Sequence, residues 1–298
     1  MADAAHAGLL EHEIFSEPFK VEPQFEYRET PDNYHDRHLG TDKLPDQMKV
    51  WLVQKTGKRY GSVVARSYGF TDSPDAEALV LGFNTGKEYG AVGIGRHGNF
   101  LQWGYWAPPS QMTESGKKLF LNCICYIHKF DGKAPLIRRV SSHRWNAIGL
   151  AALINRIKDE RFFSSTFPPE LKKKYEGDPN GLVKYYRDDF EFIYRDKVFL
   201  IDNELKSLGL KSNRQTETLE RLISLLKDVM HADAARSLLA RYTNESFQSA
   251  EQWQSWFDKN KGRIFFSDVG GFKFFVAPEG YMKNKTPPAV MEEPDNGQ

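Results

Sequence analysis

Residues that could bind a polar ligand concentrate in one short stretch of the chain. Arg96, His97 and Asn99 stand in a glycine-flanked turn, and Trp103 and Trp106 follow within a few positions. The three polar side chains can bind an anion or sugar hydroxyls, and an indole ring can stack on the apolar face of a sugar. These five residues are the candidate ligand-binding site. The alternative is that Asn99 and the glycines only satisfy turn geometry and that the tryptophans belong to the core.

His97 also permits a catalytic alternative, because histidine titrates close to neutral pH. It would need a carboxylate partner, and Asp75 and Glu77 precede it along the chain. That pair would suit a carbohydrate-active enzyme with acid–base chemistry. The sequence shows no Ser/His/Asp motif in a recognisable context.

Metal and thiol chemistry receive less support. His35 and His38 form a close histidine pair, but they stand in a polar loop where solvated side chains are the better interpretation. Cys123 and Cys125 are two positions apart in a predicted helix, so they cannot form a disulfide with each other. We predict two buried free thiols, no metal site and no cofactor.

Composition limits the class of protein. The 298 residues are 40% hydrophobic and 27% charged, enough for one or two folded domains. The 41 basic and 40 acidic residues leave a net charge of +1, which predicts no nucleic-acid partner. No apolar run is long enough for membrane insertion. We see no signal peptide, although residues 2–6 would suit a mature N-terminus, so the location stays open between the cytoplasm and a periplasmic or secreted one.

The periodicity changes from strands to helices along the chain. Period-two apolar segments before residue 106 predict strands, and Thr113 is a good N-cap for a following helix. The predicted strands are residues 49–54, 62–70, 78–81, 91–94 and 100–105.

The second half is predicted to be mostly helical. Residues 142–159 and 179–194 have helical patterns, and residues 217–242 resemble one HEAT-type helix pair that could face a protein partner. A glycine-containing hairpin over residues 263–276 follows. The predicted fold is α+β, with a β-rich part (residues 1–132), a helical region (residues 140–282) and a flexible tail (residues 283–298).

Residues 91–130 resemble the last hairpin and helix of ThuA-like (trehalose-utilisation-type) domains of the class I glutamine-amidotransferase-like superfamily. The resemblance rests on the turn at residues 95–99, the strand that follows it, and Leu119-Phe120-Leu121-Asn122 in the helix. His12-Glu13-Ile14-Phe15 resembles an upstream part of the same family. The resemblance to this family implies an amidotransferase-like sheet in the first 130 residues.

The chain lacks the residues that carry out the chemistry of that family. It has no Gly-x-Cys-x-Gly nucleophile elbow, and Tyr105-Trp106 replaces the family's histidine. The chain is also similar to uncharacterised bacterial proteins that share the turn at residues 95–100 and the Phe-Phe-Ser-Asp-Val-Gly-Gly motif at residues 265–271. We therefore predict a non-catalytic binding or accessory protein for carbohydrate, without glutamine hydrolysis. A carbohydrate-active enzyme and a structural interaction module are the alternatives.

Overall fold

The computed structural model describes residues 3–8, 10–32, 34, 44–58, 64–84, 87, 89–138, 141–156 and 160–281. The histidine pair His35/His38 and the predicted tail at residues 283–298 lie outside the described residues. The chain separates into two compact units. Among the described residues, the first contains the chain up to Thr71 and Asp75–Leu136, and the second contains Asp72–Pro74 and the chain from Ile137 to residue 281.

Two antiparallel sheets form the frame of the first unit. One has the strand order β1-β3-β2 and the other has the order β4-β5-β6. The elements are β1 (Ala4–His6), β2 (Phe25–Glu29), β3 (Gln47–Leu52), the short helix α1 (Tyr68–Thr71), β4 (Ala76–Leu81), β5 (Val92–His97), β6 (Phe100–Trp103) and the helix α2 (Glu114–His128).

The β5–β6 hairpin has a two-residue turn, Gly98-Asn99, between paired His97 and Phe100. Gly98 has a φ of 57°, a conformation that costs glycine little and other residues more. The predicted turn was longer, since β5 continues through Arg96 and His97. This extension places both side chains on a strand, where neighbours point to opposite faces.

Helix α2 begins as the sequence predicts. Thr113 is its N-cap, and Thr113 Oγ1 accepts a hydrogen bond from the Gly116 amide at 3.0 Å. Gly116 lies so close to β3 that a Cβ there would stand 2.0 Å from the Val53 carbonyl oxygen. The inner face of α2 buries Leu119, Cys123 and Tyr126 in the core of the first unit.

The prediction for the two thiols is half wrong. Cys123 is buried, but Cys125 is exposed. The two residues are separated by about 200° around the helix, so they cannot share the inner face. Burial raises the pKa of the Cys123 thiol to about 12, which leaves it protonated and unreactive.

The second unit is mostly helical and contains two hairpins. Its helices are α3 (Arg144–Ala152), α4 (Glu160–Ser164), α5 (Pro169–Lys174), α6 (Pro179–Asp188), α7 (Asn203–Ser207), α8 (Thr216–Leu225), α9 (Ala232–Tyr242) and α10 (Ala250–Asn260). The strands β7 (Ile193–Arg195) and β8 (Phe199–Ile201) form one antiparallel pair, and β9 (Ile264–Ser267) and β10 (Lys273–Val276) form the other.

The α+β prediction is confirmed: strands come first, and a helical region ending in the β9–β10 hairpin follows. Three predicted boundaries were wrong. The predicted helix over residues 142–159 ends at Ala152, and the predicted strand over residues 62–70 gives way to helix α1 at Tyr68. The predicted helix over residues 179–194 ends at Asp188, and β7 follows after a short 3₁₀ turn. Ile193 is fully buried and pairs with Ile201, so strand pairing prevails over the helical pattern there.

Candidate functional site

Arg96 and His97 lie on opposite faces of the β4-β5-β6 sheet. Arg96 is on the same face as Trp103, since Trp103 pairs with Ile94, two residues before Arg96. That face carries α2, as the ring of Trp103 packs edge-on against Phe120 at 4.9 Å. The hairpin therefore separates two of the predicted ligand-binding residues from His97.

The other two predicted residues lie at opposite ends of the hairpin. Asn99 is exposed in the turn, and Trp106 is 62% exposed beyond the far end of β6. Trp106 is seven positions after Asn99 along a nearly extended chain, which is roughly 20 Å. Thus the structure does not bring the five predicted residues together around one ligand.

His97 does have a carboxylate neighbour. Its Nε2 lies 3.4 Å from Oδ1 of Asp75, although the contact lacks hydrogen-bond geometry. The Asp75 side chain is fully buried, and its Oδ2 accepts a hydrogen bond from the Leu136 amide at 2.9 Å. The His97 side chain is 27% exposed. One of the two carboxylates considered for the catalytic alternative is therefore beside His97.

The other carboxylate, Glu77, is paired with Arg96. The two residues are direct neighbours across β4 and β5. Arg96 Nε donates to Glu77 Oε2 at 3.0 Å, and Arg96 Nη2 lies 3.0 Å from Glu77 Oε1. The Tyr126 hydroxyl of α2 donates to the same carboxylate, and the Phe130 ring lies 3.7 Å from the guanidinium carbon. We call Glu77, Arg96 and Tyr126 the Glu77 network.

Each member of the Glu77 network is held in its ordinary protonation state. Burial acts to raise the pKa of Glu77, but the bonds from Arg96 and Tyr126 outweigh it and lower that pKa. The pKa of Arg96 is raised because the pairing with Glu77 outweighs burial. Burial, followed by the bond to Glu77, raises the pKa of Tyr126. At neutral pH the network is a closed ion pair with a neutral phenol.

His12 connects the Glu77 network to a cleft on the first unit. Its ring packs edge-on against Tyr126, with 5.1 Å between ring centroids. Its Nδ1 accepts a hydrogen bond from the Ile14 amide at 3.3 Å, so the neutral ring carries its proton on Nε2. Burial lowers the pKa of His12 despite the opposing charge of Glu77. At neutral pH His12 is therefore a hydrogen-bond donor without a positive charge.

The cleft has a volume of about 350 Å³ and combines polar and apolar walls. Such a mixture is typical of small-ligand sites, where apolar walls supply area and a few polar groups fix orientation. The cleft is lined by Leu10, Glu11, His12, Phe15, Ser16, Lys20, Val21 and Pro23.

The second unit contains a separate buried ionic cluster. Arg144, fully buried at the start of α3, donates from Nε and Nη2 to the two carboxylate oxygens of Asp268, each at 2.7 Å. Nη1 donates to the Phe190 carbonyl and Nη2 to Asn213 Oδ1, both at 3.0 Å. Asp268 belongs to the Phe-Phe-Ser-Asp-Val-Gly-Gly motif, so the buried ion pair connects this motif to Arg144 at the start of α3.

Two further titratable groups face Asp268. His143 Nε2 lies 3.3 Å from Asp268 Oδ2, and burial together with the charge of Asp268 raises the pKa of Asp72 to about 7. Burial also acts to raise the pKa of Asp268, but the charge of Arg144 outweighs it and lowers that pKa. Asp72 Oδ2 accepts from the Val269 amide at 3.2 Å, whereas Oδ1 is buried without a hydrogen-bond partner.

The described residues contain neither a metal-binding cluster nor a membrane-spanning helix. Within the ranges given above, no group of three or more His, Cys, Asp or Glu side chains could hold a metal ion. Over the same residues, no helix has the length and apolar character needed to cross a bilayer.

Comparisons with protein-family models, with curated proteins and with solved structures find no match to this chain. A function must therefore be argued from the geometry of its sites. Sequence reasoning singled out Arg96 and Glu77 but missed their pairing, and it missed the cleft at His12. The alternation of β4 and β5 carried a signal for the pair, because opposite charges often face each other across antiparallel strands.

Proposed function

We propose that this protein is a non-catalytic binding or accessory protein whose cleft at residues 10–23 takes a small carbohydrate. The observation that carries the proposal is the position of His12. Its ring lines the cleft and also packs on Tyr126 of the Glu77 network. The network thereby supports the His12 ring, which forms part of the cleft wall.

The polar groups of the cleft suit sugar hydroxyls. A hydroxyl is both donor and acceptor, so a sugar needs both kinds of partner in its site. His12 and Lys20 supply donors and Glu11 supplies acceptors, while Ser16, whose hydroxyl donates to the Glu13 carbonyl, can accept. Leu10 and the other apolar side chains supply surface for the C–H faces of the ring. The resemblance of residues 91–130 to ThuA-like domains is the sequence feature that favours a sugar among hydroxylated ligands.

Binding without turnover is favoured by the protonation states around the cleft. An acid–base catalyst works best when its pKa lies near the operating pH. The pKa of His12 and that of Glu77 are both lowered, and that of Tyr126 is raised. All three shifts keep these groups in one protonation state at neutral pH, which suits fixed hydrogen bonding.

We expect a mono- or disaccharide to bind the wild-type protein and His12→Asn to weaken that binding about tenfold. Asparagine can still cap the turn at Ile14, as an N-cap side chain does, but it lacks the ring and its Nε2 donor. Isothermal titration calorimetry against a sugar panel measures the change. Ser16→Trp should block the cleft and abolish binding.

The matched control is His128→Asn, at an exposed histidine on α2 that does not line the cleft. It should leave the affinity unchanged. Two results would contradict the proposal: no sugar in the panel binds, or His12→Asn and Ser16→Trp both bind as the wild type does.

One observation favours an enzyme as the second candidate function: the 3.4 Å approach of His97 to Asp75. A buried carboxylate beside a partly exposed histidine can orient the ring for proton transfer. For this candidate we expect His97→Gln to lower turnover of a glycoside or keto-sugar at least about 100-fold. Release of reducing sugar measures it, with His128→Gln as the control. A wild-type protein that turns over no compound in a broad panel would eliminate this candidate.

A further inference from the structure

The His12 ring both caps a turn and lines the cleft. It is the N-cap of the 3₁₀ turn Glu13–Phe15, where its Nδ1 accepts the hydrogen bond from the Ile14 amide at 3.3 Å. The same ring lines the cleft beside Phe15 of that turn. The wall of the cleft therefore depends on a ring nitrogen that carries no proton.

A protonated ring cannot cap this turn. Both nitrogens of an imidazolium ion carry hydrogen, so Nδ1–H of His12 would point at the Ile14 N–H, and two donors form no hydrogen bond. Ile14 is fully buried, and an amide that loses its acceptor in such a place is unfavourable. Uptake of a proton at Nδ1 therefore forces either the turn or the ring to move.

The ring is the part that can move, because α2 holds the turn. Asn122 of α2 donates from Nδ2 to the Ile14 carbonyl at 2.7 Å. Beyond the turn, Asn122 also bonds to both the amide and the carbonyl of Phe19, at 3.0 and 2.7 Å. His12 lies before this clamped segment, and its ring rests edge-on against Tyr126. Protonation therefore displaces the ring from the cleft wall and leaves the turn in place.

The environment of His12 keeps the ring neutral at pH 7. Burial has the largest effect and lowers the pKa of His12 below its ordinary value of 6.5. Two carboxylates partly oppose this effect, and two cations and a neutral phenol complete the set of groups around the ring. These groups are Glu77 of β4, Glu13 of the turn, Arg96 of β5, and Lys129 and Tyr126 at the end of α2. The ring therefore takes up a proton only in acid.

We propose that His12 is a pH-dependent switch of the cleft: in acid, a proton from solvent on Nδ1 breaks the bond from the Ile14 amide, the ring leaves the cleft wall, and the ligand is released. This inference rests on the proposed binding function and describes how that function is regulated. Because proton and ligand exclude each other, each lowers the affinity of the protein for the other. The affinity for the ligand then falls about tenfold for each pH unit below the pKa of His12.

Calorimetric titration between pH 8 and pH 4.5 tests the release. The probes are glucose, galactose, mannose, maltose and trehalose, and the tightest binder is followed through the whole range. We expect a constant affinity from pH 8 to pH 7 and a tenfold loss per pH unit in acid. His12→Asn is the matched control, since asparagine keeps the cap at Ile14 and does not titrate. Its weaker affinity should change less than about twofold more than the remaining carboxylates of the cleft dictate, and these are the same in both proteins. A wild-type profile parallel to that of His12→Asn overturns the switch and leaves the binding function intact.

NMR of the ligand-free protein tests the cap itself. As the pH is lowered, the Ile14 amide resonance should move with the same midpoint as the His12 ring resonances, and the nuclear Overhauser effects between the His12 and Tyr126 rings should disappear. His128→Asn should behave as the wild type does. A protonated His12 ring that keeps its contacts with Tyr126 overturns the proposal, whether or not a sugar binds. If no probe binds at any pH, the binding function fails and the release fails with it.

Lys129→Gln should move the midpoint of both transitions to higher pH. Lys129 opposes proton uptake by His12 and pairs with Glu13, whose charge favours that uptake. Its removal should raise the midpoint by a few tenths of a pH unit. Lys118→Gln is the control, at an exposed lysine of the same helix, and should leave the midpoint unchanged. A midpoint that falls in Lys129→Gln would show that a group other than His12 controls the release.

Discussion

Arg144→Leu should destabilise the second unit by about 3–5 kcal/mol. The substitution leaves the buried Asp268 carboxylate without the guanidinium that neutralises it, and removing one partner of a buried pair is far more costly than never having the pair. The Phe190 carbonyl and Asn213 each lose a donor as well. Urea unfolding, with hydrogen exchange followed in α3 and β9, measures the loss.

A double variant separates the ionic contribution from the loss of packing. Arg144→Leu/Asp268→Leu removes both charges, so it should recover part of the stability that Arg144→Leu alone loses. Arg236→Leu is the surface control: Arg236 pairs with exposed Asp233, three residues away, and its loss should cost less than about 1 kcal/mol. An Arg144→Leu variant as stable as Arg236→Leu would show that the buried pair does not hold the second unit together.

Features specified by neighbouring residues were predictable from the sequence. The start of α2 follows from Thr113, whose side chain accepts from the Gly116 amide three residues later. Residues 217–242 form two consecutive helices as predicted, and α9 ends at Tyr242, the last residue of that range. Each of these signals lies within one helical turn, where propensity and capping act directly.

Features specified by distant residues were not predictable. Asp268 and Arg144 are 124 positions apart, and no local pattern couples a motif in a late hairpin to the first residue of a helix. Strand β7 was assigned to a helix because its partner β8 stabilises it only after the chain has folded back. In each case tertiary contacts prevail over local preference.

In the candidate site, too, local features were predictable and features that depend on distant residues were not. The turn at Gly98 and the alternation of β5 were visible in the sequence, so Arg96 and His97 could be singled out. Which face each side chain occupies depends on where β5 ends, and a shift of one residue reverses the assignment. The cleft depends on the packing of His12 against Tyr126, more than 100 residues away, for which the sequence contains no periodic signal.

Asp72→Asn should make the second unit more stable than the wild type above pH 7 and equally stable near pH 4. The folded-state pKa of Asp72 is raised from 3.8 to about 7, first by burial and second by the charge of Asp268. A raised carboxyl pKa contributes stability that is complete below the unfolded-state pKa and is lost as the pH rises through the folded-state value. Asparagine keeps the neutral form at every pH. The expected gain at pH 8 is about 2–4 kcal/mol.

The measurement is the difference in unfolding free energy between wild type and variant from pH 4 to pH 8. The difference between the two proteins is used because other groups also make stability depend on pH. Asp268 and Glu191 have lowered pKa values, so the stability that they contribute is lost as the pH falls, which is opposite to the effect of Asp72. Asp196→Asn, at an exposed position of the same unit, should show no pH-dependent difference. If the Asp72→Asn difference is as flat as that control, Asp72 does not carry a buried charge at high pH. A difference in unfolding free energy that rises with pH shows that the folded protein is most stable when the Asp72 carboxyl group is neutral.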